Sequence, residues 1–205
     1  MQGIKAVIFD LGGVLIDWNP LYVFHDSYFP TQEERDYFFQ NVCTSDWNEN
    51  QDAGYSIAKA TEEKIAEFPE WEQPIRDFYG RWEEMLGDEL KETVDILKQL
   101  KEKKHLKIYA LTNWSAETFP KAFEKFPFLK WFDGIVVSGI EKTRKPFEVF
   151  YQLLLDRYHL KAQEVFFIDD NLRNIHAAEK MGMHVFQFTS AHALEKKLKQ
   201  FHLLT

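Results

Sequence analysis

Short apolar segments and amphipathic helical patterns alternate along most of this chain, which leaves few folds open to it. Residues 4–10 are apolar and rich in β-branched side chains, and a glycine pair follows them. From Leu90 onward, helices with apolar residues three or four positions apart alternate with further short apolar runs. This alternation predicts an α/β Rossmann-like fold, a parallel sheet with helices on both faces. The predicted strands are 4–10, 107–111, 134–137, 164–168 and 184–188.

The segment from residue 17 to about residue 86 differs from the rest of the chain. It is rich in aromatic and acidic residues and lacks clear β runs. Helices are predicted after Pro20, after Thr31, and over 57–68 and 74–85. The sequence therefore predicts a small all-α unit, 17–86, inserted after the first strand of a core formed by 1–16 and 87–205. Within that core, Ser115 is expected to cap a helix that begins at Ala116.

Charge and composition exclude several classes of protein. The 205 residues carry 25 lysines and arginines against 33 aspartates and glutamates, a net charge of −8, which disfavours nucleic acid and anionic lipid as partners. No apolar run approaches the roughly 18 residues of a membrane helix, and the first apolar run is too short for a signal peptide. Cys43 is the single cysteine, so no intrachain disulfide forms. We therefore expect a cytoplasmic protein; the sequence does not indicate an oligomeric state.

Polar side chains stand at the ends of the predicted strands, and a parallel sheet opens its ligand crevice at that edge. They are Asp10 after the first strand, Thr112 and Asn113 after the second, Asp169 and Asp170 after the fourth, and Lys145 before the helix that starts at Pro146. Each of them alone is also explained as a cap, a turn residue or a solvated surface charge. Their occurrence in this order on one predicted sheet favours a shared site.

The residue types at this edge indicate a chemistry. Three carboxylates that converge in one crevice repel one another and need a cation, and oxygen ligands suit Mg²⁺. A metal ion, a lysine and a hydroxyl–amide pair together bind an anion such as phosphate. A carboxylate in line with a phosphorus atom is a nucleophile that forms an acyl phosphate. The glycines after Asp10 let the backbone approach a metal or phosphate closely.

Four short motifs in this order resemble those of the haloacid dehalogenase superfamily. They are FDLGGVL at 9–15, LTN at 111–113, KP at 145–146 and FIDDN at 167–171, and they span nearly the whole chain. The inserted segment 17–86 matches the cap that many members carry between the first two motifs. Within the superfamily, the first motif is similar to the branch that includes α-D-glucose-1-phosphate phosphatase.

The resemblance implies a role for each residue of the first three motifs. Asp10 would be the nucleophile and a Mg²⁺ ligand, and Gly12 would offer its backbone carbonyl to the same ion. Thr112 and Asn113 would hold the transferring phosphoryl group. Lys145 would neutralise charge on the nucleophile and on the phosphate.

The fourth motif would supply the remaining carboxylates. Asp170 aligns best with the metal-binding carboxylate of the family, and Asp169 would be a neighbouring or water-mediated ligand. Asn174 stands where many members place a further acid, a departure from the family pattern. The implied function is that of a Mg²⁺-dependent phosphatase acting on a small phosphorylated metabolite, with a sugar phosphate among the candidates.

Position 12 departs further from the family. Phosphatases of the family usually carry aspartate two residues after the nucleophile, as general acid and base, and dehalogenases usually carry tyrosine there. Gly12 matches neither. Because expulsion of an alkoxide without an acid is costly, we expect substrates with acidic leaving groups, or a proton from Asp17 or from water held by the cap.

Two alternatives to the phosphatase stay open. One is a 2-haloacid dehalogenase-type hydrolase, in which Asp10 attacks carbon and no metal is needed. The other is a degenerate member that binds a phosphorylated ligand or a protein partner without turnover, which Gly12 alone favours. A phosphomutase is disfavoured, because it needs the acid and base that position 12 lacks.

The cap is expected to close over the site and to select the substrate. The candidate contacts are Trp18, Trp47, Asn48, Asn50, Gln51 and Asp52, a polar and aromatic mixture that suits a sugar. Alternatively, both tryptophans belong to the core of the cap and the polar run is a solvated helix face. Trp114, directly after Asn113, is expected either to line the crevice or to pack beneath the cap.

Overall fold

Within residues 3–204, which the structure describes, five parallel strands form the central sheet of this computed structural model. The strands in chain order are β1 (Ala6–Phe9), β2 (Ile16–Trp18), β3 (Leu86–Glu89), β4 (Lys107–Thr112), β5 (Gly134–Val137), β6 (Val165–Asp169) and β7 (His184–Gln187). The sheet has the order β5-β4-β1-β6-β7, and each neighbouring pair is parallel. Because β1 is central, the carboxyl ends of β4 and β6 lie on either side of Asp10.

Helices cover both faces of this sheet. In chain order, the helices of the inserted segment are α1 (Gln32–Tyr37), α2 (Ser45–Asp52), α3 (Ile57–Glu67) and α4 (Glu72–Gly80), and the helices that follow it are α5 (Lys91–Lys101), α6 (Phe119–Lys125), α7 (Ser138–Glu141), α8 (Glu148–Arg157), α9 (Leu172–Lys180) and α10 (Ala191–Gln200). Because successive strand residues point to opposite faces, Val7 and Phe9 cluster with residues of α5, α6 and α10, whereas Ala6 and Ile8 cluster with residues of α8 and α9. The predicted α/β Rossmann-like architecture is confirmed.

The inserted segment has a hydrophobic core of its own. Phe24, Phe38, Ile75 and Phe78 are buried there, within a segment that contains α1 to α4 and several short 3₁₀ turns. Threonine or serine hydroxyls accept the first free N–H groups of α1, α2 and α3. The exact division of the chain into cap and core stays a prediction. Among the described residues, no helix combines the length and hydrophobicity needed to cross a membrane.

A two-stranded antiparallel ribbon lies at the base of the inserted segment, and the sequence pattern does not predict it. β2 pairs with β3, with Trp18 opposite Leu86. The strands are three and four residues long, too short for an alternation of period two to stand out. The ribbon joins the two ends of the insertion next to the loop that follows β1.

The helix predicted from Ala116 begins later than expected. α6 starts at Phe119, and the residues before it form a turn in which the Ser115 hydroxyl accepts the backbone N–H of Glu117 (3.2 Å). Pro120 explains the delay, because proline lacks an N–H donor and is tolerated in the first turn of a helix but not in its interior.

Candidate active site

A cavity of about 230 Å³ lies at the carboxyl edge of the sheet. The core contributes Asp10, Gly12, Gly13, Asn113, Trp114, Thr118 and Asp170 to its wall, and the inserted segment contributes Trp18, Asn48, Asp52, Tyr79 and Trp82. The strand ends meet here because β4, β1 and β6 are neighbours with a common direction. The cavity therefore has carboxylates on its core side and mainly aromatic and amide side chains on the side of the insertion.

Lys145 is fully buried and joins two of the carboxylates. Its Nζ lies 2.9 Å from Asp10 Oδ1 and 2.6 Å from Asp169 Oδ2. Burial alone would lower the pKa of Lys145, but Asp10 and Asp169 outweigh burial and raise that pKa. The lysine is therefore charged, and it fixes Asp10 while offsetting part of the negative charge at the strand ends.

Asn113 positions Lys145 through the main chain. Its Oδ1 accepts the backbone N–H of Lys145 (2.8 Å), and its Nδ2 donates to the backbone carbonyl of Lys145 (3.0 Å). These bonds connect the end of β4 to the loop before α8. The side-chain amide of Asn113 is thus engaged with the protein itself. Thr112, the residue before it, is buried and lies outside the cavity wall.

Asp169 is fully buried and surrounded by hydrogen-bond donors. Besides Lys145, the backbone N–H of Asn171 donates to Oδ1 (2.8 Å), and Asn174 Nδ2 lies 3.0 Å from Oδ1 and 3.1 Å from Oδ2. The resemblance to the haloacid dehalogenase superfamily implies a further acid at position 174. As an amide, Asn174 gives Asp169 a donor that an ionised carboxylate would not provide. Asp169 is therefore held in place to orient Lys145.

Three carboxylates converge at the strand ends. One oxygen of each of Asp10, Asp169 and Asp170 lies within 4.8 Å of the others. The pKa of Asp10 is raised to about 7, chiefly by burial; Asp169 and Asp170 contribute to this rise, and Lys145 opposes it. Burial and Asp169 also raise the pKa of Asp170. Surplus negative charge on hard oxygen donors is a ligand set that fits a divalent cation such as Mg²⁺.

The two glycines that follow Asp10 differ in what they border. Gly13 has a φ of +72°, and a Cβ at this position would come within 2.6 Å of Asp170 Oδ2. Gly12 has no heavy atom within 4 Å of its ideal Cβ position. Gly13 therefore allows Asp170 to approach the loop after β1, whereas Gly12 borders open space in the cavity.

Gly13→Ala is expected to destabilise the protein by about 1–3 kcal/mol, because alanine is strained at this φ and its Cβ would displace Asp170. Gly12→Ala is the matched control, and its free energy of unfolding should change by less than about 1 kcal/mol. Urea denaturation of both variants in EDTA measures the difference. Equal losses in the two variants would contradict the contact assigned to Gly13.

Helix α2 presents one face to the cavity. Asn48 and Asp52, four residues apart, both line the wall, and Asn48 Nδ2 donates to Asp52 Oδ2 (3.1 Å). Trp47 lies on another face of the helix, where its ring packs against Phe78 and Tyr79 at centroid distances of 5.4 and 5.5 Å. The cavity-facing side of α2 is therefore its polar side, with an amide and a carboxyl group.

The structure does not bring three of the candidate cap contacts, Trp47, Asn50 and Gln51, to this cavity. Trp47 belongs to the packing of the inserted segment, and Asn50 is exposed and lines a separate surface pocket together with Gln51. The helical repeat is the physical reason, because neighbours of Asn48 and Asp52 in the sequence point away from the face that these two residues share. Asn48 and Asp52 are thus the residues of α2 that can contact a substrate.

Three residues of the cavity wall are not predicted from the sequence: Tyr79, Trp82 and Thr118. The hydroxyl of Tyr79 donates to Asn48 Oδ1 (2.8 Å), and Trp82 packs edge-to-face against Trp114 at 5.8 Å. The sequence predicts a single helix over 74–85, which would not give these orientations. In the structure α4 ends at residue 80, and Trp82 lies in a separate 3₁₀ turn.

Charged and polar contacts hold α2 against the core. The carboxylate of Glu49 pairs with Arg144 and with Arg173. The backbone carbonyl of Asp52 accepts the hydroxyl of Ser138, the first residue of α7. The inserted segment therefore closes over the cavity in this structure and contributes to its wall.

Comparisons with known proteins cover nearly the whole chain. The model of the haloacid dehalogenase-like hydrolase family matches residues 7–188. The sesquiterpene phosphatase astK of Aspergillus oryzae is 28% identical over 196 residues, covering 96% of this chain and 95% of that protein. The drimenol cyclase drtB of Aspergillus calidoustus is 26% identical over 197 residues, covering 95% of this chain and 36% of that protein. This chain thus corresponds to one part of the cyclase and to almost all of the phosphatase.

Solved structures share the fold. An enzyme of the same family from Bacteroides thetaiotaomicron, in complex with magnesium and inorganic phosphate, has a TM-score of 0.68 at 21% identity, covering 91% of this chain and 95% of that chain. The L-2-haloacid dehalogenase from Xanthobacter autotrophicus, with chloropropionic acid covalently bound, has a TM-score of 0.64 at 18% identity, covering 98% and 85% respectively. At these low sequence identities, the structural similarity establishes only that this chain shares their fold.

Proposed function

The chain belongs to the haloacid dehalogenase-like hydrolases, and on that basis we propose that it is a Mg²⁺-dependent phosphatase of small phosphorylated metabolites. The arrangement around Asp10 carries the proposal. This carboxylate is buried at a cavity, paired with the charged Lys145, and flanked by two further carboxylates. The likeness to astK, which is named a sesquiterpene phosphatase, supports a phosphate ester as the substrate.

Asp10 is the proposed nucleophile. Lys145 Nζ and the backbone N–H of Leu11 both bind Oδ1, at 2.9 and 2.8 Å, so we assign the attack on phosphorus to Oδ2. The attack forms an aspartyl phosphate and releases the alcohol, and water then hydrolyses the aspartyl phosphate to inorganic phosphate. Lys145 stabilises the charge that gathers on the nucleophile and on the phosphoryl oxygens, in a buried site where that interaction is strong.

The transferring phosphoryl group is proposed to lie between Asp10 and the end of β4. Asn113 lines the cavity, and Thr112, the residue before it, is buried next to it at the end of β4. The backbone N–H of Asn113 would bind the phosphoryl oxygens from the wall, and the hydroxyl of Thr112 would bind them from behind it. The backbone of Asn113 is assigned this role because its side-chain amide holds Lys145. Thr112 and Asn113 would therefore bind the phosphate, and Asn113 would also position the lysine.

The proposed Mg²⁺ ligands are Asp10, Asp170 and the backbone carbonyl of Gly12. Their oxygen donors and surplus negative charge fit a small divalent cation. Asp169, which Lys145 and two other donors already hold, would be a neighbouring or water-mediated ligand. When bound, the ion neutralises charge on the phosphoryl oxygens.

The cavity wall restricts the leaving group. A volume of about 230 Å³ suits a small alcohol, and Trp18, Tyr79, Trp82 and Trp114 offer aromatic surface. Such surface accepts an apolar or C–H-rich face, which both a sugar and a short terpenoid alcohol present. Sugar phosphates and short terpenoid phosphates are therefore the first substrates to compare. Likeness to the α-D-glucose-1-phosphate phosphatase branch stays a prediction.

We further propose that residues 17–86 are a cap that selects the substrate, and that 1–16 and 87–205 form the catalytic core. The separate hydrophobic core of the inserted segment supports this division. The position of α2 over the cavity supports the selective role, because Asn48 and Asp52 meet a bound substrate from that side.

The two alternatives fit the geometry less well. A dehalogenase-type hydrolase needs no metal, but the converging carboxylates repel one another in the absence of a cation. Burying the charges of Lys145 and Asp10 side by side is costly to stability. A protein that only binds its ligand, without turnover, would not need this buried pair.

Phosphate release is expected to require Mg²⁺. We expect release from at least one of a panel of sugar phosphates, acyl phosphates, short terpenoid phosphates and p-nitrophenyl phosphate. EDTA should lower the rate at least about 100-fold, because the surplus negative charge of the site then repels the phosphate dianion. Halide release from 2-haloacids in EDTA would favour the dehalogenase instead. Mg²⁺ binding without release from any substrate would favour the binding protein.

A further inference from the structure

Position 12 has room for an acid but carries none. Gly12 borders open space in the cavity. Departure of an alkoxide from phosphorus needs a proton, and a site without a donor makes that step costly. Asp17 is a poor source, because it lies outside the cavity wall and its carboxylate accepts the hydroxyl of Tyr22. The other titratable groups on the cavity wall are therefore the candidate donors.

Among the described residues, the titratable side chains on the cavity wall are Asp10, Asp52, Tyr79 and Asp170. Asp10 is the proposed nucleophile and Asp170 a proposed metal ligand, which leaves the two groups on the inserted segment. Burial raises the pKa of Tyr79, so its hydroxyl keeps its proton, and that proton is donated to Asn48. Asp52 is the acid that remains.

We propose that Asp52, at the end of cap helix α2, is the general acid and base of this hydrolase, in place of the acid that position 12 lacks. The inference rests on the proposed phosphatase function and assigns a further catalytic residue to it. The acid would thus come from the cap instead of from the loop after β1.

The protein holds the carboxyl group of Asp52 in a defined orientation. Asn48 Nδ2 donates to Oδ2 (3.1 Å), and Asn48 is itself fixed by the hydroxyl of Tyr79 (2.8 Å). The backbone carbonyl of Asp52 accepts the hydroxyl of Ser138, and Ser138 Oγ accepts the backbone N–H of Trp114 (2.8 Å). These contacts tie the end of α2 to the loop after β4, next to the proposed phosphate-binding residues.

The surroundings of Asp52 give it a proton affinity suited to this role. Burial raises the pKa of Asp52 to about 7, and the backbone N–H of Ser115 is the largest opposing effect. The charged and titratable groups that face it are Glu49 on α2, Tyr79 on α4, Arg144 and Lys145 before α8, and Asp10 and Asp170 across the cavity. A group that titrates near the working pH both donates and accepts a proton readily.

The proposed proton transfers balance over one turnover. The bond from Asp10 to phosphorus forms while the bond from phosphorus to the leaving oxygen breaks, and the carboxyl proton of Asp52 moves to that oxygen. Asp52, now a carboxylate, then takes a proton from water as the water oxygen bonds to phosphorus and the bond to Asp10 breaks. Inorganic phosphate leaves, with Asp10 again a carboxylate and Asp52 again protonated.

Asp52→Asn tests the assignment through the leaving group. In Mg²⁺, we expect kcat/KM for an alkyl phosphate to fall by roughly 10²–10⁴-fold, the usual contribution of a general acid. For p-nitrophenyl phosphate the fall should be less than about 10-fold, because p-nitrophenolate leaves without a proton. The variant should also give a stoichiometric burst of p-nitrophenol, since hydrolysis of the aspartyl phosphate still lacks its base. Asp46→Asn, an exposed acid on the same helix, is the matched control and should behave like wild type.

The pH profile of the wild type is a second readout, which stands even if Asp52→Asn does not fold. With an alkyl phosphate, kcat/KM should fall as the pH rises through about 7, because Asp52 then loses the proton that the leaving oxygen needs. With p-nitrophenyl phosphate this fall should be absent. Equal losses of Asp52→Asn on both substrates, or equal wild-type profiles on both, would overturn the assignment.

Failure of the proposed function itself has a different signature. Wild-type protein that releases no phosphate from any substrate in Mg²⁺ overturns the phosphatase and the role of Asp52 together. Normal Mg²⁺-dependent release by the wild type, with unchanged kinetics in Asp52→Asn, overturns only the role of Asp52.

Discussion

Asp10→Asn is expected to abolish Mg²⁺-dependent phosphate release, lowering kcat by roughly 10⁴-fold or more. The amide does not form the acyl phosphate, and the neighbouring carboxylates are poorly placed to replace it. Asp169 is held by Lys145 and Asn174, and Asp170 lies against the loop at Gly13. The measurement is phosphate release in saturating Mg²⁺ with the best substrate of the panel.

Asp10→Asn should remain folded, so that the loss reports on chemistry. Burial raises the pKa of Asp10 to about 7, which means that its charge is unfavourable in the folded protein without metal. A neutral amide removes that charge, and Lys145 keeps its contact with Asp169 (2.6 Å). We expect the Tm in EDTA to stay within a few degrees of wild type. Full activity in a folded Asp10→Asn sample would contradict the assignment of the nucleophile.

Lys145→Met is expected to lower the free energy of unfolding by about 3–5 kcal/mol and to remove activity. Methionine resembles lysine in length but leaves Asp10 and Asp169 as buried carboxylates without their cation. Urea denaturation in EDTA measures the loss. Lys130→Met, which changes an exposed lysine, is the matched control and should change the free energy of unfolding by less than about 0.5 kcal/mol.

The stability loss in Lys145→Met should grow with pH. The folded-state pKa of Asp10, about 7, lies above its ordinary value of 3.8, so the contribution of Asp10 to stability is present at low pH and lost as the pH rises through 7. Removing Lys145 raises this pKa further. The loss should therefore be smaller near about pH 6 than near about pH 8. A loss below about 1 kcal/mol at both pH values would contradict the role of Lys145.

The location of the site could be predicted from the sequence because it depends on sheet topology. Asp10, Asn113 and Asp169 follow or end short apolar runs, and parallel strands bring such ends to one edge. No knowledge of side-chain packing is needed for that inference. The order of the motifs along the chain predicts the family, and the match of the family model over residues 7–188 confirms it.

Contacts between side chains distant in the chain could not be predicted in this way. The side chain of Asn113 holds the backbone of Lys145, 32 residues further on, and nothing in either motif indicates the pairing. In the sequence, Asn174 is only a departure from the family pattern. The structure shows it as a donor to Asp169, which keeps that carboxylate in contact with the lysine.

The orientation of α2 also could not be predicted from the sequence. The helix reads SDWNENQD, with polar residues on every side, so no apolar stripe shows which face turns inward. The sequence therefore predicts contact with a substrate equally for Trp47, Asn50, Asn48 and Asp52. Packing of Trp47 against Phe78 settles the orientation in the folded protein.

Trapping the covalent intermediate tests the central proposal, that the phosphoryl group passes through Asp10, most directly. Protein mixed with substrate and Mg²⁺ would be quenched in acid within a turnover, digested, and analysed by mass spectrometry. We predict that the peptide containing Asp10 gains the mass of one phosphoryl group, that the group lies on Asp10, and that EDTA prevents its formation. Phosphate release with the phosphoryl group on another residue, or with oxygen from labelled water incorporated into the Asp10 carboxylate in place of the phosphate, would contradict the proposal.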